Sequence, residues 1–326
     1  TNPNTNSSDE RHHPPDEPFY IDQAGRRFSN SRGADDTSVV LESAGPVRAC
    51  VRVDGVYTGP DSTGIVAVRT RYHMFADLTL IKAVHEFRVA GSTRETQFRD
   101  IGFQLQLSKM PGTRMVVVDA SGEPGNQLQR VAWQPDTTSV SSYQATYRHF
   151  GNPECRGAVV EQRGSKEHIV SESDHVGEWM QVQNGDVAIT GSLRWMWQQF
   201  PKEWEVTQDR LTLHLWSPRG GELDFGADGI RSVFGEGGRR DLLEWRRQPK
   251  NLNAISNFFY HAGHSALARG DVDGKGINKH HEFWLHFSNT DRADEGMEYG
   301  KLAARQPLAL ATPEWNCSTD VFGPLM

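Results

Sequence analysis

The feature that most constrains this chain is a set of short runs in which apolar and polar residues alternate. Val47, Ala49, Val51 and Val53 fall on one side of such a run, and Arg48, Cys50 and Arg52 on the other. Ile81, Ala83, His85, Phe87 and Val89 are opposed in the same way by Lys82, Val84, Glu86 and Arg88. A period of two is the signature of a β-strand, whose successive side chains point to opposite faces. Further runs lie at residues 19–21, 65–75, 103–107, 115–118, 178–183, 187–199, 211–216 and 283–287. In the last of these, Phe283, Leu285 and Phe287 face one way, and Trp284 and His286 (with Glu282 just before them) face the other. Antiparallel sheets that are wet on one side read like this. Strand signals recur about every ten residues, and helical patterns occur only at 240–247 and 297–305, so the chain is expected to be all-β, a sandwich or barrel.

The residues divide the chain further. Residues 1–18 are polar and proline-rich and are expected to form a disordered or loop segment, with His12 and His13 solvated. Met110-Pro111-Gly112 breaks the strand pattern and marks a boundary near residue 110. Residues 133–157 are polar and read as a long loop. A formal net charge of −7 argues against a nucleic-acid or anionic-membrane surface. No run of about 18 apolar residues is present, so no membrane-spanning helix is expected. The chain starts at Thr1, which predicts either a removed leader or a piece of something longer. Cys50, Cys155 and Cys317 form no CxxC cluster; one disulfide with an odd thiol and three buried thiols both remain open.

One stretch is unusually aromatic. Residues 193–204 hold Trp195, Trp197, Phe200 and Trp204, and Leu193, Trp195 and Trp197 keep the strand period. Pro201 is expected to stop the ladder, since it has no N–H to give, which leaves Lys202 at the strand exit. Two readings stand: a core strand, or a surface where Trp197 and Trp204 stack on a sugar ring and Lys202 binds its oxygens.

Several strings carry a family likeness. Trp197-Gln198-Gln199-Phe200-Pro201-Lys202, followed by the segment from Asp209 to Pro218, resembles the central β-sandwich of exo-rhamnogalacturonan-lyase-like polysaccharide lyases. The segment from Lys279 to Phe287 is similar to a later strand of that domain. Glu42 to Ala49, followed by Val53-Asp54-Gly55, looks like the back half of the family's N-terminal barrel, and Pro313-Glu314-Trp315 onward like the lead-in to its C-terminal α/α-toroid. The resemblance implies a partial β-barrel over 19–110 followed by a large antiparallel β-sandwich over 111–326. It also implies that the toroid and the front of the barrel are missing. The implied activity is β-elimination on a uronic-acid-containing polysaccharide, by a secreted or extracellular protein whose partner is an acidic polysaccharide or oligosaccharide. A non-catalytic glycan-binding or structural module of a larger enzyme is the alternative. A third is hydrolysis by paired carboxylates, for example Asp224 and Asp228.

Elimination next to a carboxylate needs a cation or donor on that carboxylate, a base for the C–H proton and an acid for the leaving oxygen. Three groups supply these residue types. Tyr260, His261 and His264 follow Asn257 and an aromatic pair; Arg71, Tyr72 and His73 end a strand; Tyr147, Arg148 and His149 lie in the loop-like stretch. The expected catalytic set is His261, His264, Tyr260, Arg71, Tyr72 and His73, with Asn257, Tyr147, Arg148 and His149 binding substrate. For each histidine taken singly, a hydrogen-bonded structural role is the competing reading. Asp271 and Asp273 look like the start of a calcium loop, but Lys275 sits where a third oxygen ligand belongs, so a plain Asp/Gly turn competes. No other metal or cofactor site is expected. His280 and His281 are adjacent and should point to opposite faces. No phosphate loop and no Gly-x-Ser-x-Gly elbow is present.

Overall fold

The computed structural model describes residues 17–30, 37–60, 64–107, 114–120, 128–146, 156–225 and 273–304. The alternating runs become strands β1 (Glu17–Asp22), β2 (Arg27–Ser29), β3 (Ser38–Ala44), β4 (Arg48–Val56), β5 (Val66–Phe75), β6 (Leu80–Val89), β7 (Phe98–Gln106), β8 (Arg114–Asp119) and β9 (Leu128–Ala132). They continue as β10 (Thr137–Thr146), β11 (Arg156–Arg163), β12 (Lys166–Ser173), β13 (Trp179–Asn184), β14 (Val187–Leu193), β15 (Lys202–Thr207), β16 (Arg210–Trp216) and β17 (Asn278–Asn289), followed by helix α1 (Ala293–Ala304). Two antiparallel sheets result. One has eight strands in the order β12-β11-β10-β15-β16-β7-β1-β2, and the other nine in the order β3-β4-β5-β6-β17-β14-β13-β8-β9. The fold is all-β and sandwich-like, and among the described residues neither sheet closes into a barrel. Both sheets mix strands from either side of residue 110: β7 pairs with β16, and β6 with β17.

Most apolar residues of the alternations face inward and form the main core, while Val117, Trp179 and Met297 form a second buried cluster. Phe103 of the eight-stranded sheet lies 5.0 Å, ring to ring, from Phe283 of the nine-stranded sheet. Val116, Val118, Met180, Val182 and Leu193 meet Trp204, Val206, Leu211 and Leu213 across the gap. Each such side chain contributes about 1.5–3 kcal/mol on full burial. The sheets come close at Gly191, where a Cβ would lie 2.5 Å from the Trp204 ring. The glycine is therefore what allows a tryptophan between the sheets.

Two expectations are corrected. Residues 133–157 are not one long loop, because they contain β10 and the start of β11. β10 sits between β11 and β15 and buries Ser141, Ser142 and Gln144, so its polar sequence concealed an interior strand. The strand expected over 187–199 ends at Leu193. Residues 194–199 turn, Trp195 adopts φ +59°, and the chain enters the other sheet at Lys202. Pro201 thus precedes a strand. The helix expected at 297–305 is α1, and the one expected at 240–247 lies outside the described residues.

Gly191→Ala should destabilise the fold by about 1–3 kcal/mol, because the new methyl meets a ring that has no room to retreat. Urea denaturation checks this: a lower midpoint at unchanged slope is expected.

Candidate functional site

The outer face of the nine-stranded sheet carries a row of side chains set by strand register. Cys50 on β4 pairs with His73 on β5, His73 with Lys82 on β6, and Lys82 with Trp284 on β17. Helix α1 lies on this face over β13, β14 and β17. It can do so because Gly296 has no side chain; a Cβ there would be 2.6 Å from Thr190 Oγ1. The Gln181 amide donates to the Ala293 carbonyl (2.8 Å), and the Ser192 hydroxyl to the Gly300 carbonyl (3.0 Å). Between the helix and the strands a cleft of about 450 Å³ remains, lined by Arg48, His73, Phe75, Lys82, Trp284 and Tyr299, among others.

The cleft combines aromatic and cationic surface. The Phe75 and Trp284 rings lie 11° from parallel with centroids 6.1 Å apart. The Lys82 ammonium sits 5.0 Å from the Trp284 ring centre and 2.9 Å from the Glu282 carboxylate. No carboxylate pairs with Arg48 among the described residues. Burial lowers the pKa of His73, and the charges of Arg48, Lys82 and Arg71 lower it further, so the ring is neutral at pH 7. Its Nδ1 and the Trp284 indole N–H are buried without a hydrogen-bond partner among the described residues. Tyr299 stacks on His286 at 4.7 Å at the helix side. Such a surface can stack a ring, neutralise an anion and bond hydroxyls.

Of the candidates Arg71, Tyr72 and His73, only His73 lines this cleft. Arg71 shares the outer face, but Glu42 accepts two hydrogen bonds from its guanidinium at 2.8 and 3.1 Å. Glu42 also takes Arg52 at 2.8 Å, and the bonds from Arg71 and then Arg52 hold its carboxyl down at about 2. Tyr72 faces the interior, where burial pushes its phenol up to about 12.

The aromatic stretch divides between environments. Trp204 is core. Lys202 is only 3% exposed and donates to the Leu215 carbonyl. Trp197 is half-buried with its ring 5.0 Å from that of His175. Tyr147, Arg148, His149, Asn257, Tyr260, His261 and His264 lie outside the described residues, as do Asp228 and Asp271. Asp273 Oδ1 accepts from the Thr93 N–H (2.8 Å), the Thr93 hydroxyl (3.1 Å) and the Lys275 N–H (3.1 Å), so it braces a turn. Among the described residues no group of three His, Cys, Asp or Glu could hold a metal ion. Arg48, Lys82, Trp284 and Tyr299 were not expected. The first three were visible on the polar sides of their alternations, but nothing in those periods says that β4, β6 and β17 are neighbours.

Behind the cleft, on the inner side of the same strands, Thr70, His85 and His281 pair in a row. His85 bonds Thr70 Oγ1 (2.8 Å) and the Tyr57 hydroxyl (3.2 Å), and burial lowers its pKa to about 4. His281 lies flat on Phe87, with neither ring nitrogen partnered among the described residues. Burial, then the nearby charge of Lys202, pushes its pKa well below the ordinary value. Burial and then Lys279 lower Lys202 to about 7.

These folded-state pKa values all lie below the unfolded ones, so the unfolded chain binds more protons and stability falls as pH falls. The loss from Lys202 should run from about pH 10.5 to 7, and that from His85 from about 6.5 to 4. Urea titrations across this range should show both limbs. Lys202→Met should flatten the upper limb, an effect on the order of a few kcal/mol.

No protein-family model matches the chain, and no curated protein sequence does. Among solved structures, it is similar to the alpha-galactosidase from Lactobacillus brevis, with 9% identity and a TM-score of 0.44, over 88% of this chain and 31% of that one. It is also similar to the galactosidase domain of an alpha-galactosidase-sucrose kinase, with 8% identity and a TM-score of 0.38, over 83% and 30%. The chain therefore spans about a third of the length of these structures.

Proposed function

We propose that this is a carbohydrate-active protein that binds an acidic polysaccharide or oligosaccharide in the cleft beside α1. The observation that carries the reading is the near-parallel Phe75 and Trp284 pair with Lys82 over the indole and Arg48 at the margin. The aromatic faces suit the C–H side of a sugar ring, and Arg48, which no carboxylate pairs among the described residues, suits a uronate carboxylate. The resemblance of the strand strings to exo-rhamnogalacturonan-lyase-like sandwiches supports the same class of ligand.

A second, finer reading is β-elimination on the bound uronate, favoured by the neutral ring of His73 within the cleft. Arg48 would hold the carboxylate and acidify the adjacent C–H. His73 would take that proton as the C=C bond forms and the C–O bond to the leaving sugar breaks, and Tyr299 would give a proton to the leaving oxygen. Without that step, the chain is a glycan-binding module.

Calorimetry with polygalacturonate and a neutral galactan separates the possibilities. Acid-selective binding is expected. Arg48→Ala and Trp284→Ala should each weaken it by about 1–3 kcal/mol, roughly fivefold to a hundredfold. Equal binding of both polymers, or no effect of either substitution, would remove the cleft from the argument. Ultraviolet absorbance of unsaturated uronate then tests the second reading: its release by the wild type, and its loss in a His73→Ala variant that still binds, are the expected results.

A further inference from the structure

We infer that Trp195 forms an outer stacking subsite that extends the cleft's glycan path along the same face of the sheet; the inference rests on the glycan reading of the cleft. Trp195 is 48% exposed and holds φ +59°. That left-handed conformation costs a non-glycine residue about 1–2 kcal/mol, and glycine or asparagine would fill it more easily. The ring is not buried in return. The change of sheet between Leu193 and Lys202 uses this turn, but burial does not explain why a tryptophan stands in it, and strain of this kind is retained where a side chain must be presented.

The surroundings of Trp195 connect it to the cleft. The Arg194 guanidinium lies 4.2 Å from the Trp195 ring centre. The Arg194 N–H donates to the Glu282 carbonyl at 3.0 Å, and its guanidinium is 3.7 Å from the Glu282 carboxylate. Lys82 approaches that same carboxylate at 2.9 Å and lies over Trp284. Glu282 and Trp284 are two residues apart on one face of β17, about 7 Å along the strand. The order along the face is thus Trp284, Lys82, Glu282, Arg194, Trp195. A chain lying on Trp284 and continuing past Glu282 reaches the second indole. Glu282 between two cations does not repel an acidic ligand, and its oxygens accept hydroxyl hydrogen bonds. The guanidinium stacked on Trp195 restrains the ring before a ligand arrives, which lowers the entropy lost on binding.

The test measures affinity for saturated oligogalacturonates of increasing length, from the dimer upward. In the wild type, affinity should rise with length until both indoles are covered. Trp195→Ala should cut the ratio of long-chain to dimer affinity by about fivefold to tenfold, whereas Trp284→Ala should weaken every length alike. Trp195→Gly removes the ring and relieves the backbone, so it should melt at or above the wild-type temperature yet show the same loss of length dependence. An unchanged ratio in both Trp195 variants overturns the outer subsite and leaves the cleft's binding standing. If no length binds to the wild type, the glycan reading fails and the subsite fails with it.

Discussion

The antiparallel pairing of β6 with β17 is what the rest of the structure depends on. The hydrogen bond from Asn278 to Glu86 closes 192 residues of chain. Without this pairing the nine-stranded sheet would be two pieces, β3 to β6 and β17 to β9. One register sets both sides of the sheet: inward it aligns Thr70, His85 and His281, and outward His73, Lys82 and Trp284. Slipping β17 by one residue would move every side chain to the opposite face, sending Trp284 into the core and Phe283 into water. Core and cleft are thus two readings of a single pairing.

The same molecule treats buried histidines in two opposite ways. On the inner side, His85 and His281 have no carboxylate beside them among the described residues, and burial keeps both neutral. On the eight-stranded sheet, His214 lies 2.8 Å from Asp100 and 3.6 Å from Glu205. Burial there also opposes the charge, but the two carboxylates outweigh it and raise the pKa well above the ordinary value. Nearby, Glu203 accepts from Ser217 at 2.5 Å and Arg219 at 3.1 Å. Residue type alone therefore sets neither charge state; the neighbours across the strands do.

Much of the fold was legible because it is local. The alternations at 81–89 and 283–287 gave strands with their apolar faces correctly assigned, since burial of one face enforces a period of two; the run at 47–53 also forms a strand, but there Val47 is exposed and Cys50, on the side read as polar, is buried. β10 was concealed because Thr137, Ser141, Ser142 and Gln144 belong to a strand and their polar side chains are buried, so period and polarity disagree. The candidate site was legible only in fragments. His73 was singled out by its chemistry, yet Arg48, Lys82, Trp284 and Tyr299 join it only through pairings and a helix docking that no local pattern encodes.

The aromatic stretch shows why its two sequence readings could not be separated. Residues 193–204 leave one sheet at Leu193 and enter the other at Lys202. A single strand would bind every tryptophan of the stretch to one fixed alternation. The change of sheet frees them from it: Trp204 packs against Gly191 between the sheets, while Trp195 stands half in water beside Arg194. Core and surface are both correct, for different residues of one short segment. The left-handed turn at Trp195 is what breaks the strand period, and so it is also what lets a chain that has just completed the core present an indole on the opposite face.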